Sequence, residues 1–319
     1  MRIATFNLEN FDDDPNAPEV LAGRIAAMRP QLERLRADVL CLQEVNGQPR
    51  TLSALDSLLA DTAYAAYHRT STLTAGNLPY DVRNLVILSR WPILDRRQIK
   101  HDYTAAPLYQ KVTATPPETT AKPVTWERPI LYARLDLGSG AELHVINVHL
   151  KSRLPATVDG QMQDQYTWKS AAGWAEGYFI ASMKRVGQAL EVRRLLDSLF
   201  DADPQARIAV CGDFNATVGE VPLEAICGAV ENTGNAKLAG RTLLPCEFSV
   251  PESARFSLYH RGKGEMLDHI LISRALLKNY RGAEVHNEAL HDESVAFATD
   301  KLYPESDHAP VVAEFGEPI

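Results

Sequence analysis

Short apolar runs that stop at a polar group recur along this chain. Ile3-Ala4-Thr5-Phe6 ends at Asn7, Val39-Leu40-Cys41-Leu42 at Gln43-Glu44, Leu143–Val148 at His149, and Ile208-Ala209-Val210-Cys211 at Gly212-Asp213-Phe214-Asn215. Near the C-terminus the order inverts: Asp268-His269 opens Ile270-Leu271-Ile272, and Asp307-His308 precedes Val311-Val312. Continuous apolar runs of this kind are the mark of strands buried on both faces. They predict strands over Arg2–Leu8, Val39–Glu44, Leu85–Ser89, Leu131–Leu137, Leu143–His149, Ile208–Asp213, Leu267–Ser273 and Ala309–Phe315.

Helical spacing fills some of the gaps. Leu21, Ile25, Met28, Leu32 and Leu35 predict a helix over Val20–Leu35, Ser53–Leu59 a shorter one, and Tyr178–Phe200 the longest. In that last segment Ile180, Met183, Val186, Leu190, Leu195 and Leu199 share one side, and Lys184, Arg185, Glu191, Arg193 and Arg194 form an expected solvated face. Gly138-Ser139-Gly140 between two strand signals predicts a β-hairpin. Antiparallel neighbours together with crossover helices predict an α/β fold of two mixed sheets with helices outside. No linker divides the chain, so residues 1–319 read as a single domain with insertions near 105–125 and 154–177. Both insertions flank the His149 strand end, and at least one is expected to face substrate.

Composition narrows the class. The apolar fraction of 45% and charged fraction of 23% are those of a soluble globule. No stretch approaches the roughly 20 apolar residues of a membrane span. The chain enters its first strand at Arg2-Ile3 with no secretory leader, which reads as cytoplasmic, or as secreted with the leader trimmed. The net charge of −8 argues against a broad basic face for duplex DNA but leaves room for a local basic patch. Cys41 and Cys211 read as buried thiols, whereas pairing of Cys227 with Cys246 stays open. The absence of Cys-x-x-Cys removes the usual structural zinc motif.

The strand-end groups carry the candidate chemistry. Glu44 at the end of an apolar strand is costly unless a donor or cation meets it. It is either a solvated strand end or an oxygen ligand for a hard dication. Asp213 and Asn215 alternate on extended backbone and so share a side, although an Asx turn would use the same residues. Asp307 and His308 point opposite ways, one suited to a cation and the other to a reacting oxygen. Asp268 is then a candidate to orient His308, while His269 weighs as a strand-start residue. His149 alone would be a core histidine; followed by Lys151, Ser152 and Arg153 it points to anion binding. The phosphate-binding loop, the serine-hydrolase elbow and the His-Glu-x-x-His helix are all missing.

Taken in order, Thr5-Phe6-Asn7-Leu8-Glu9-Asn10, Leu42-Gln43-Glu44-Val45, Val86 to Ile93, Asn147 to Ser152, Gly212-Asp213-Phe214-Asn215-Ala216, Leu267 to Ser273 and Ser306 to Val311 resemble the endonuclease/exonuclease/phosphatase superfamily. The resemblance runs from the first strand to the last. It implies a deoxyribonuclease I-like four-layer α/β sandwich, with two mixed, mostly antiparallel sheets face to face and the site at their open edge. It also implies metal-dependent phosphoester hydrolysis with Mg²⁺, or Mn²⁺ in its place, on a substrate such as DNA or RNA, by a monomer. Carried over, Glu44, Asn7 and Asp307 would hold the metal, with Glu9 where some relatives have a second acid. His149, Asp213, Asn215, Asp268 and His308 would be catalytic, with Asp213 on the attacking water and Asn215 and His149 on the phosphoryl oxygens, and Lys151, Ser152 and Arg153 would bind substrate phosphate. The Asn10-Phe11, Lys151-Ser152-Arg153 and Leu267-Asp268-His269 versions look nearest to bacterial nuclease-like members. His269 stands where inositol polyphosphate 5-phosphatases carry Arg, which counts against that activity. The alternatives are a phosphatase or phosphodiesterase on a small molecule or lipid headgroup, and an inactive binding module of the same fold.

Overall fold

A computed structural model describes residues 1–164, 166–299 and 303–316. Two six-stranded sheets pack face to face. The first runs, in spatial order, Tyr280–Val285, Val311–Phe315, Arg2–Phe11, Val39–Val45, Asn84–Ser89 and His68–Ser71. The second runs Leu243–Pro245, Asp268–Ser273, Ile208–Asp213, Ala141–His149, Ile130–Gly138 and Ile93–Ile99. Each sheet has one parallel pair among antiparallel neighbours. In the first it is Arg2–Phe11 with Val39–Val45, and in the second Ala141–His149 with Ile208–Asp213. Parallel strands need a crossover, and each pair has a helix on the outer face: Pro18–Leu35 for the first and Ala171–Ala202 for the second.

Three apolar layers follow from this order. Between the sheets, Ile3, Val39, Cys41 and Ile87 meet Ala133, Val145, Cys211 and Ile270. Outside the first sheet, Phe6, Leu40 and Val86 pack on Met28, Leu32 and Leu55 of the helices Pro18–Leu35 and Ser53–Leu59. Outside the second, Ile146, Ile208 and Val210 pack on Val192, Leu195 and Leu196. The middle layer is not wholly apolar. Gln43 Nε2 donates to Asn147 Oδ1 at 2.7 Å, and Asn147 Nδ2 donates to the carbonyls of Leu42 and Val86 at 3.0 and 2.9 Å. These buried amides tie the sheets together immediately beneath the strand ends that form the site.

Several expectations change. The long helix starts at Ala171, capped by the Ser170 hydroxyl, and so begins inside the segment read as an insertion. Its supposed solvated face is partly interior: Arg185 and Glu191 are buried, whereas Leu190 is exposed. Glu191 is buried because its carboxylate accepts the amides of His101 and Tyr103, ninety and eighty-eight residues earlier in the chain. Cys227 and Cys246 are buried free thiols in different apolar layers, so they do not pair. No helix among the described residues is long and apolar enough to cross a membrane.

Candidate active site

At one edge of the sandwich the parallel pairs of both sheets end together, and backbone irregularity there turns polar side chains inward. Pairing registers shift between Asn7 and Phe11 and between Leu42 and Val45, the signature of bulges, which re-aim side chains at strand ends. Glu9, Asn10, Glu44 and Asn215 take left-handed backbone, with φ between 46° and 57°. Such conformations cost energy in non-glycine residues and gather at functional sites. Gly212 also has positive φ, 141°, and a Cβ there would collide with the Val148 carbonyl. Glycine lets the Asp213 strand approach the His149 strand closely.

Asp213 sits at the centre. Its Oδ2 accepts from Asn7 Nδ2 at 3.1 Å and Asn215 Nδ2 at 3.0 Å, and its Oδ1 from the Asn215 amide at 2.8 Å. His149 Nε2 lies 3.3 Å from Asp213 Oδ2 and 3.6 Å from Glu44 Oε1. Glu44 Oε2 accepts the Asn10 amide at 3.0 Å and stands 3.8 Å from Arg83 Nε. Glu9 accepts the Asp307 amide at 3.0 Å. His308 Nδ1 is 2.6 Å from Asp268 Oδ2. The turn carrying His308 is held by Ser306, whose hydroxyl donates to the Asn7 carbonyl and accepts the His308 amide. Buried Ser257 accepts the amides of Leu267 and Asp268 through its hydroxyl. Ser257 was not anticipated, because its role rests on contacts distant in sequence.

The electrostatics divide the two histidines. Burial, reinforced by Arg128, pushes His149 well below the usual imidazole range and so keeps it neutral. Burial also opposes charge on His308, but Asp268 overrides it and raises His308 well above that range. Burial raises the carboxyls of Glu9 and Asp213 to about 7 and that of Asp307 to about 6. Neighbouring Asp307 adds to the rise at Glu9, whereas His308 opposes it at Asp213 and Asp307. Three carboxyls raised together mark a site short of positive charge.

That shortage, and the buried Asp307 Oδ1 with no hydrogen-bond partner, fits a divalent cation. Among the described residues no three His, Cys, Asp or Glu side chains converge as a ready-made cage. Mg²⁺ does not require one; it is commonly held by one or two carboxylates, with water and substrate oxygens completing its shell. Glu44 and Asp307 are the carboxylates that would do so; Asn7 donates to Asp213 in the same cluster.

The residues expected to bind phosphate fare differently. Lys151 and Ser152 line a cleft beside the cluster. Arg153 does not share their freedom: its guanidinium lies between Glu220 and Glu265, 2.5 Å from each, and is neutralised there. Both amide hydrogens of Asn215 are committed, to the Leu150 carbonyl and to Asp213. In this geometry Asn215 positions Asp213 and has no N–H left for phosphate. His269 is sealed between Glu247 and the Ala216 carbonyl. Arg128 was missed by sequence reading. It is an isolated cation in the chain, yet it donates to the His149 carbonyl at 3.1 Å.

The profile of the Endonuclease/Exonuclease/phosphatase family matches residues 4–308. The chain belongs to this family. Membership supports phosphoester hydrolysis as the reaction class. Solved structures with the same fold include the 3′ phosphatase NExo from Neisseria bound to product DNA hairpin, at 19% identity and a TM-score of 0.53, covering 99% of this chain and 100% of that one. An AP endonuclease from Archaeoglobus fulgidus shares 16% identity with a TM-score of 0.53, covering 99% of each chain. Truncated TDP2 from Caenorhabditis elegans shares 15% identity with a TM-score of 0.57, covering 99% of this chain and 98% of that one. At these identities the likeness carries the fold, a deoxyribonuclease I-like α/β sandwich. No curated protein matches the sequence.

Proposed function

We propose that the chain is a divalent-metal-dependent phosphodiesterase acting on nucleic acid. The observation that carries this reading is geometric: Nε2 of His149, whose pKa burial lowers, lies 3.3 Å from Asp213 and 3.6 Å from Glu44, and His308, raised by Asp268, is held 2.6 Å from that carboxylate at the same cluster. Titratable groups pushed apart in this way divide the labour of a reaction.

Glu44 and Asp307 would hold Mg²⁺ or Mn²⁺, with Asn7 close by. Such an ion neutralises charge on phosphoryl oxygens and acidifies water. Asp213, fixed by Asn7 and Asn215, orients the attacking water and accepts its proton. His149 faces the phosphoryl oxygens with its Nε2 proton. His308, held by Asp268, meets the negative charge that develops on phosphoryl and leaving oxygens, where positioning and charge neutralisation supply most of the catalysis.

The acidic balance of the chain favours a second reading, hydrolysis of a small phosphoester. One assay separates them: Mg²⁺- or Mn²⁺-supplemented turnover of single-stranded DNA, single-stranded RNA, bis-p-nitrophenyl phosphate and p-nitrophenyl phosphate. The proposal expects diester cleavage that chelation abolishes, with nucleic acid preferred. Cleavage of the monoester alone would replace it with the second reading.

A further inference from the structure

A cleft of about 1020 Å³ opens beside the carboxylate cluster. That is the upper end of the roughly 300–1,000 Å³ of small-molecule pockets. The cluster itself is not in its wall. Contact comes through Asn10, which bonds Glu44, and Arg128, which bonds the His149 carbonyl. A ligand in the cleft therefore lies next to the reacting phosphate.

The wall carries the cations Arg83, Lys111, Lys122, Arg128, Lys151 and Lys184 against the carboxylates Asp81, Glu118, Glu127 and Asp159, a small positive excess in a chain of net charge −8. Most are already answered. Lys111 pairs with Asp159, Lys122 with Glu118 and Lys184 with Glu127, and Arg83 leans toward Glu44. Among the described residues, Arg128 and Lys151 have no carboxylate within ion-pair distance. Both are at the inner end, on or beside the His149 strand end. Lys151 Nζ donates to the Ser152 hydroxyl at 2.8 Å, the Leu154 carbonyl at 3.0 Å and, more loosely, the Ser152 carbonyl at 3.3 Å, while burial lowers its pKa to about 8. The loosest of these bonds is the one a phosphate oxygen would replace.

The outer rim has a different character. Tyr109 lines the cleft, and its ring centroid lies 5.3 Å from that of Phe179, which is 52% exposed. Outside the cleft wall, on the same helix, Trp174 and Tyr178 (the residue before Phe179) are also exposed, with centroids 5.4 Å apart. Uncompensated cations inside and exposed rings outside are the two parts of a single-strand binding surface.

Resting on the phosphodiesterase reading above, we propose that this cleft seats a single-stranded oligonucleotide. Arg128 and Lys151 hold the phosphate adjacent to the scissile one, and the Tyr109–Phe179 rim receives a base. A double helix would need the broad basic face that this acidic chain lacks.

The test is fluorescence anisotropy of a labelled single-stranded hexanucleotide in EDTA, where binding is read without turnover. The proposal expects Lys151→Gln to weaken affinity about tenfold, as loss of a charge-assisted hydrogen bond does. It expects the slope of log K against log salt to fall by about 0.7, one phosphate's share for a single strand. Lys151→Arg should restore both. Phe179→Ala, at an exposed position, should weaken affinity about fivefold or more through lost stacking. Equal affinity of the wild type and Lys151→Gln, or tighter binding of a hexamer duplex than of the single strand, would overturn the proposal. So would sedimentation with anionic lipid vesicles in place of strand binding. Adding Mg²⁺ to the same samples tests the phosphodiesterase reading separately, because strand binding without cleavage contradicts that reading alone.

Discussion

Asp268 and His269 are consecutive, and each belongs to a buried carboxylate–imidazole pair, yet the two pairs live in different surroundings. Asp268 holds His308 Nδ1 at 2.6 Å. His269 Nδ1 meets Glu247, and its Nε2 is closed off by the Ala216 carbonyl. In both pairs burial works against the charged imidazole and the carboxylate overrides it, so both histidines are raised. The difference is the second nitrogen. At His308 it is left for the site; at His269 it is used up inside the second sheet's neighbourhood. The same pair leaves a ring nitrogen open toward the carboxylate cluster at His308 and locks it away at His269.

This comparison can be broken from either side. The largest effect is expected for Asp268→Asn, which keeps the shape but removes the charge behind His308. Turnover per folded molecule should fall about 10²–10⁴-fold, on top of the stability lost with the buried pair; steady-state kinetics below the variant's own midpoint and a melt on the same sample check it. His269→Ala should cost stability alone. It leaves Glu247 buried and unpaired, a loss of about 3–5 kcal/mol in urea unfolding, while the folded fraction stays active. The next effect is in pH. His269 is raised above 6.5 in the folded protein, so its contribution is complete below that value. It is lost as pH rises through the raised value. Stability should therefore decline on the alkaline side, and His269→Gln should flatten that part of the profile in urea titrations at stepped pH. The smallest effect sharpens the contrast with an acid that has no imidazole. Buried Glu176 accepts from Tyr109, Val112 and Thr113 and so anchors the cleft's outer segment to the long helix. Glu176→Gln should cost about 1–2 kcal/mol and raise KM several-fold with little change in kcat.

What could be read from the sequence follows burial. The strands recognised as apolar runs are the interior ones of each sheet, covered on both faces. Within the two large sheets the strands missed, His68–Ser71, Ile93–Ile99, Leu243–Pro245 and Tyr280–Val285, are the four edges. Ile93–Ile99 carries Asp95, Arg96, Arg97 and Gln98 in sequence, because an edge strand faces water and is kept polar. The site shows the same division. Polar side chains at the ends of apolar runs stood out, since such runs do not otherwise need them. Glu176, Glu191, Glu247, Ser257 and Arg128 did not, since each looks like an ordinary surface residue until a partner distant in sequence arrives. Arg153 and Asn215 show the converse: the residue type suits phosphate, but neighbours have already claimed its donors.

The account turns on His308 being the charged group that faces the reaction. Turnover of bis-p-nitrophenyl phosphate with added Mg²⁺ or Mn²⁺, by the wild type and by His308→Ala, each below its own thermal midpoint and counted per folded molecule, tests this directly. The account predicts a loss of about 100-fold or more. Near-normal turnover in the variant, or full wild-type turnover in EDTA, would contradict it.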